Sequence, residues 1–224
     1  MKRIFILILP LFLSCVLSNE NKKTVLIIGD STVSSYFISE KFSGWGETID
    51  RRFLPNVRVV NIAKSGATAS SFISNGLLEK GLRRGSEFTL IQFGHNEYFQ
   101  GIDIETYRKS LKYIAKQLQN CGSTPIFVTP VVRLYFNSEN IIEDQLLPFS
   151  NEIKSLGKEL GINVVDLYNG SKLYFESIGE DKALKLSPDR THFNKEGSCI
   201  LSNIVADTLS SINFEISNYI KKKR

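Results

Sequence analysis

Five residues spread along the chain carry the chemistry: Ser31, Gly66, Asn96, Asp189 and His192. Ser31 lies in Gly29-Asp30-Ser31-Thr32, directly after the apolar run Thr24-Val25-Leu26-Ile27-Ile28. An apolar, β-branched run that breaks at glycine reads as a buried parallel strand entering a tight turn. Such a turn lifts the next side chains to the edge of the sheet. A serine hydroxyl is a weak nucleophile at neutral pH and needs a base beside it. The chain offers two histidines, His95 and His192. His192 stands in Asp189-Arg190-Thr191-His192-Phe193-Asn194. A carboxylate three residues before an imidazole can accept a hydrogen bond from one ring nitrogen, fixing the tautomer and stabilising the imidazolium. The other ring nitrogen is then left to take the Ser31 proton.

Acyl transfer also places negative charge on a former carbonyl oxygen, which needs fixed donors about 2.7–3.1 Å away. The Asn96 amide and the backbone N–H groups of Gly66 and Ser31 are the candidates, Gly66 because a missing side chain lets an acyl group approach the backbone. Each piece has an ordinary structural use as well. Asp and Ser are common turn residues after strands, Gly66 can serve a turn, and Asn96 or Asp189 can cap a helix. His95, beside Asn96, reads as a buried support rather than a second base. Trp45, between two glycines, fits either the core or the lining of a site. The functional reading rests on conjunction, since all the pieces occur in order beyond strand ends.

The elements that must position these residues follow from five apolar runs, each followed by a segment with helical spacing. This is the signature of a doubly wound parallel sheet. The runs are about 24–28, 58–61, 88–93, 126–129 and 162–165. The first helix is expected near Gly44-Trp45-Gly46-Glu47, with Ile49, Phe53 and Leu54 on one face before Pro55. A Gly- and Ser-rich turn, Lys64-Ser65-Gly66-Ala67-Thr68, follows the second run. Tyr107, Leu111, Ile114, Ala115 and Leu118 predict a helix over 104–119, with Asp103 as N-cap and Gly122 ending it. Residues 131–148 form the longest irregular connection, and long loops beyond strand ends tend to carry binding function. Ile153, Leu156 and Leu160 mark one further helix, and Ile200, Ile204, Val205 and Leu209 mark the last. In open α/β sheets, sites form at the carboxyl ends of strands, where Ser31, Gly66 and Asn96 all fall.

Residues 1–18 read as a secretory signal: Lys2 and Arg3 precede an apolar run from Ile4 to Leu13, then small or polar residues. The run is too short for a comfortable membrane span. Cleavage after Ser18 is expected, giving a secreted or periplasmic protein, with lipoprotein processing at Cys15 as the alternative. Residues 19–220 suit one domain. The 28 basic and 23 acidic residues give +5, but Lys2, Arg3 and the tail Lys221-Lys222-Lys223-Arg224 account for six of the basic ones. The body is therefore near neutral, which argues against a nucleic-acid surface. The 221–224 tail reads as a solvated end. Cys121 and Cys199 can pair or stay apart; their spacing is not a metal pattern.

The residues also resemble a known family. Gly29-Asp30-Ser31, Gly66, Gly94-His95-Asn96 and Asp189-Arg190-Thr191-His192 resemble the four sequence blocks of the GDSL/SGNH hydrolases. Within that superfamily the chain is most similar to the rhamnogalacturonan acetylesterases, through Asp30-Ser31-Thr32-Val33, Gly44-Trp45-Gly46, Asn61-Ile62-Ala63-Lys64-Ser65-Gly66, Val165-Asp166-Leu167 and Thr191-His192-Phe193-Asn194 with Gly197. The resemblance covers about 24–209. It implies an α/β, three-layer, flavodoxin-like fold: a five-stranded parallel sheet with helices on both faces. It also implies a Ser31–His192–Asp189 triad and an oxyanion hole from Ser31, Gly66 and Asn96. Two positions depart from the pattern: Glu97 replaces the usual Asp after Asn, and Ala67 follows Gly66 where many members have Arg. Both put substrate details in doubt. No G-x-S-x-G surrounds Ser31, against an α/β-hydrolase.

The resulting expectation is a monomeric serine acetylesterase that needs no metal or cofactor and acts on an acetylated polysaccharide, rhamnogalacturonan or a related pectin. The alternatives are a lipid or thioester hydrolase on the same frame and a non-catalytic carbohydrate-binding protein.

Overall fold

The structure is a computed structural model and describes residues 22–36 and 41–222. The expected leader, with Cys15, lies outside the described residues. The chain opens on β1 (Lys23–Gly29), then α1 (Trp45–Thr48), β2 (Val57–Asn61), α2 (Ala69–Ser74) and α3 (Leu77–Leu82). β3 (Phe88–Gln92) leads into α4 (His95–Phe99) and α5 (Ile104–Asn120). β4 (Thr124–Val128), α6 (Leu147–Leu160) and β5 (Val164–Val165) follow. The chain closes with α7 (Leu167–Ile178), α8 (Glu180–Leu186) and α9 (Lys195–Ser211).

The five strands form one parallel sheet in the order β2-β1-β3-β4-β5. Right-handed crossovers then fix the layers. The step from β1 to β2 runs one way across the sheet, and all later steps run the other. α1 therefore covers one face, where α9 packs against it, while α2, α5 and α6 line the other. Strands covered on both faces must be apolar throughout, and Val25, Leu26, Ile27 and Ile28 are at most 1% exposed. The direction of travel reverses between β1 and β3, and the crevice at such a switch point is where ligands bind. Ser31 follows β1 and Asn96 follows β3, so both stand at that crevice.

Local departures from the sequence pattern have physical causes. β4 begins two residues earlier than its apolar run, at Thr124, and includes Pro125. Thr124 N–H bonds toward β3 at Glu87 O, whereas Phe127 and Thr129 N–H bond toward β5. Pro125 thus lacks its N–H on the side where β5 has not begun, and no ladder bond is lost. β5 loses Ile162 because Gly161 takes a left-handed φ of 65° and Ile162 N–H closes α6 on Gly157 O at 2.9 Å. The helix at Trp45 is a single turn that tightens into a 3-10 turn, Ile49–Arg52, after which Phe53 is extended with ψ 155°. Leu54 precedes Pro55, which disfavours the α region there. Residues 69–82 and 167–186 hold four helices that the apolar pattern did not mark.

The expected tail begins tied down. Ile220 bridges Phe53, and Lys221 N–H donates to Arg52 O at 2.7 Å. Cys121 and Cys199 are both free thiols. Among the described residues, no helix is long and apolar enough to cross a membrane.

Candidate active site

The turn after β1 is wound around Asp30. Its carbonyl accepts from Val33 N–H, Ser34 N–H and the Ser34 hydroxyl, at 3.2, 3.1 and 2.8 Å. Its Oδ1 accepts from Thr32 N–H and Thr32 Oγ1, at 2.9 and 2.7 Å. Asp30 is fully buried, and burial pushes its carboxyl up; the His95 ring 3.4 Å from Oδ2 and the bonds from Thr32 outweigh this, so it lies below its ordinary 3.8. A buried relay continues inward. Gln92 Nε2 donates to Thr32 Oγ1 at 2.6 Å, and Trp45 Nε1 donates to Gln92 Oε1 at 2.8 Å. Trp45 is therefore core, and it holds the serine turn from beneath.

The outer side of the turn is held as firmly. Trp45 N–H and Gly44 N–H donate to Thr32 O and Ser34 O, each at 3.0 Å. A Cβ on Gly44 would stand 2.4 Å from Ser34 O and from the Val33 carbonyl carbon, so only glycine allows this approach. Asn61 joins the first two rim turns: its Nδ2 donates to Val33 O at 2.8 Å and its Oδ1 accepts from Ala63 N–H at 3.0 Å.

His192 comes from the connection between α8 and α9. Asp189 Oδ1 accepts from His192 N–H at 2.7 Å and Thr191 N–H at 3.0 Å, while Oδ2 lies 2.8 Å from His192 Nδ1. Partial burial pushes the Asp189 carboxyl up, but the bonds from the His192 backbone and ring and from Thr191 outweigh it, leaving it below 3.8. An ionised Asp189 only accepts, so Nδ1 carries the proton and Nε2 is the acceptor. His192 Nε2 lies 2.9 Å from Ser31 Oγ. The turn needs Arg190 in the left-handed region, φ 66°, where a non-glycine residue is strained. Leu134 N–H donates to Arg190 O and Arg190 Nη1 donates back to Leu134 O, each at 2.8 Å, and these two bonds hold it there.

The structure thus places Ser31, His192 and Asp189 in one hydrogen-bonded line. Asn96 and Gly66 are brought together separately, since Asn96 Nδ2 donates to Ala67 O at 2.9 Å. Gly66 takes φ 79° at an exposed turn where a Cβ would meet open space, so here glycine serves the backbone angle. Among the described residues no group takes the N–H of Ser31 or Gly66, and one Asn96 amide hydrogen is unused. His95 lies beneath, 1% exposed.

Glu97, one of the two departures from the family pattern, points into the protein. It is 1% exposed and accepts from Ala69 N–H at 2.6 Å and Gly94 N–H at 2.8 Å, stapling α2 to the turn after β3. Ala67 is buried too. Burial pushes the Glu97 carboxyl from 4.5 up to about 7, against the Ala69 and Gly94 bonds and aided by the Asp30 charge. A raised carboxyl binds a proton in the folded state that the unfolded chain releases, so its stabilising effect is full below 4.5 and is lost as pH rises through about 7. The shift corresponds to about 3 kcal/mol. Urea unfolding from pH 4.5 to 8 is expected to show a fall in stability about 3 kcal/mol steeper in the native protein than in Glu97→Gln. Parallel pH profiles would remove Glu97 as the cause.

Sequence reasoning passed over Gln92 and Glu97 as structural anchors. Gln92 had a signal, a polar residue ending an otherwise apolar run. Glu97 had a partial one, its place three residues after Gly94, whose N–H it takes; its other partner, Ala69 N–H, is brought in by α2.

Fold and relatives together define the class: a carboxylic ester hydrolase on a three-layer parallel sheet. The chain belongs to the GDSL-like Lipase/Acylhydrolase family, whose model matches residues 27–198. It is 30% identical over 217 residues to the rhamnogalacturonan acetylesterase RhgT of Bacillus subtilis (strain 168), covering 88% of this chain and 93% of that protein. The crystal structure of YXIM from Bacillus subtilis superposes with a TM-score of 0.78 at 27% identity, over 84% of this chain and 56% of that one. Axe2, an acetylxylan esterase from Geobacillus stearothermophilus, shares the fold with a TM-score of 0.69 at 17% identity, over 90% of this chain and 97% of that one.

Proposed function

We propose that this protein is an exported serine acetylesterase that removes O-acetyl groups from a polysaccharide, rhamnogalacturonan or a related pectin. The observation that carries the reading is the line from Asp189 through His192 to Ser31, with distances of 2.8 and 2.9 Å. Ser31 Oγ attacks the acetyl carbonyl carbon while its proton passes to His192 Nε2. Asp189 stabilises the imidazolium across Nδ1. The oxyanion is held by the N–H groups of Ser31 and Gly66 and by the Asn96 amide. Collapse breaks the C–O bond to the sugar, whose oxygen takes the proton from His192. Water then attacks the acetyl-enzyme by the same route, releasing acetate and restoring Ser31. The similarity to a rhamnogalacturonan acetylesterase supports the choice of substrate, and the leader read over residues 1–18 supports export.

The test is acetate release from acetylated pectins, xylans and peptidoglycan, alongside nitrophenyl acetate and long-chain nitrophenyl esters. Release from the pectic polymers with preference for the acetyl ester is expected. A strong preference for long acyl chains would replace this reading with a lipid or thioester hydrolase. Asn96→Ala is expected to lower kcat about 10²–10³-fold, the effect of one lost oxyanion donor. Steady-state kinetics on nitrophenyl acetate measure it, and an unchanged kcat would remove Asn96 from the oxyanion hole.

A further inference from the structure

Beside the candidate active site stands an arginine with unusual surroundings. Arg133, in the connection after β4, is 7% exposed. Its guanidinium carbon lies 4.5 Å from the ring centroid of Tyr135, 4.7 Å from Phe99 and 5.4 Å from Tyr98. Its guanidinium hydrogen bonds go to neutral oxygens, Tyr135 Oη at 2.9 Å and Thr191 Oγ1 and Gln145 Oε1 at 3.4 Å each, while its backbone N–H donates to Asp144 Oδ2 at 2.9 Å. Arg52, Arg108 and Arg190 each hold a carboxylate. Among the described residues, Arg133 has none within 4.0 Å of its guanidinium nitrogens.

Asp144 acts on the Arg133 charge from a distance, with no direct bond to the guanidinium. A buried cation with no carboxylate bonded to it is costly, and aromatic faces offset only part of that cost. Two of the three N–H bonds are long, and the guanidinium has five donors in a fork suited to a carboxylate. The rings are unusual too, since Phe99 is 57% and Tyr135 40% exposed. Such rings offer exposed apolar faces beside a positive centre. Its position follows from the elements that bear the candidate site. Tyr98 and Phe99 end α4, which begins at His95 and Asn96, and Thr191 is the residue before His192. Arg190 adds a second cation, 5.8 Å from the Tyr135 ring.

We infer that Arg133, Phe99 and Tyr135 form a subsite for a carboxylate-bearing sugar of the polymer, a uronate, stacked on the rings with its carboxylate on the Arg133 guanidinium. The inference rests on the polysaccharide reading above and deepens it: it names the residues that would favour an acidic polymer over a neutral one. The carboxylate replaces the long bonds to Gln145 and Thr191 with charge-assisted ones, and the rings cover the apolar face of the sugar.

The test is calorimetric binding to the full chain carrying Ser31→Ala, which removes turnover. The probes are a galacturonate trisaccharide and its carboxyl-reduced counterpart. The acidic ligand is expected to bind at least about tenfold tighter, with an affinity that falls as salt rises. Adding Arg133→Gln should erase the difference, and adding Phe99→Ala should weaken both ligands. Because Arg133 is buried, Phe99→Ala and the two-ligand comparison with Arg133 intact keep the idea open to refutation if Arg133→Gln fails to fold. Equal binding of the two ligands, no binding of either, or a preference that survives Arg133→Gln overturns it. If the acidic ligand binds as expected but the native protein releases no acetate from any polymer, the esterase reading falls and the subsite stands.

Discussion

Replacing Ser31 by alanine is expected to lower kcat for nitrophenyl acetate by about 10⁴–10⁶-fold, the loss seen when a serine nucleophile is removed. Without Oγ no acetyl-enzyme forms, and hydrolysis falls back on direct attack by water. The remaining rate reflects the oxyanion donors and substrate binding, which alone retain about 10³–10⁴-fold over water. The fold should not suffer. Ser31 Oγ has His192 Nε2 as its partner, while the turn is held by Asp30, Thr32 and Ser34 through bonds that alanine leaves intact. Stability is therefore expected to change by no more than about 0.5 kcal/mol. Burst kinetics and a thermal melt on one preparation test both halves. Activity within tenfold of the native protein would refute Ser31 as nucleophile, whereas inactivity accompanied by a collapsed melt would leave the serine's role structural.

Trp45→Ala is expected to produce the largest loss of stability. Trp45 is fully buried between the sheet and α9 and is the largest side chain in the core. Truncating a buried tryptophan costs about 3–5 kcal/mol for lost burial and the remaining cavity. Gln92 Oε1, which accepts from Trp45 Nε1, would also be left unpaired, at about 1–3 kcal/mol. A loss of about 5 kcal/mol in all lowers Tm by about 10–20 °C for a domain of this size. Trp45→Phe separates the two contributions, since it keeps most of the volume and loses the N–H. Because Gln92 passes the contact on to Thr32 and Asp30, Trp45→Phe should lower kcat as well. A Phe variant as stable as the native protein would show that the indole N–H holds nothing.

The same relay shows what a one-dimensional reading reaches. That β1 would be buried and that Ser31 would leave it at a turn followed from Val25 to Ile28 and from Gly29. Asp189 and His192 were legible as a pair because their contact is local: three residues of separation bring carboxylate and ring together whatever the rest of the chain does. Trp45 remained open between core and site, because its partner, Gln92, lies 47 residues away. The role of Glu97 was hidden for a similar reason. As a departure from the family pattern it put substrate details in doubt, whereas the structure turns it inward onto the N–H of Gly94 and that of Ala69 in α2, which no apolar pattern marked.

By itself the sequence determined the family, the parallel sheet, the order of its strand-end turns and the residue types placed on them. The family followed from the resemblance of four sequence blocks to those of known members, and the other properties depend on local periodicity, turn chemistry and short spacings. Only the tertiary structure decided that His192 Nε2 meets Ser31 Oγ across 161 residues, that Trp45 and Gln92 underpin the serine turn, and that the Arg133 guanidinium lies among three rings with no carboxylate bonded to it. These depend on strand order and crossover hand, which bring distant turns to one rim, and on which oxygen or ring remains within a few ångströms once the core has packed.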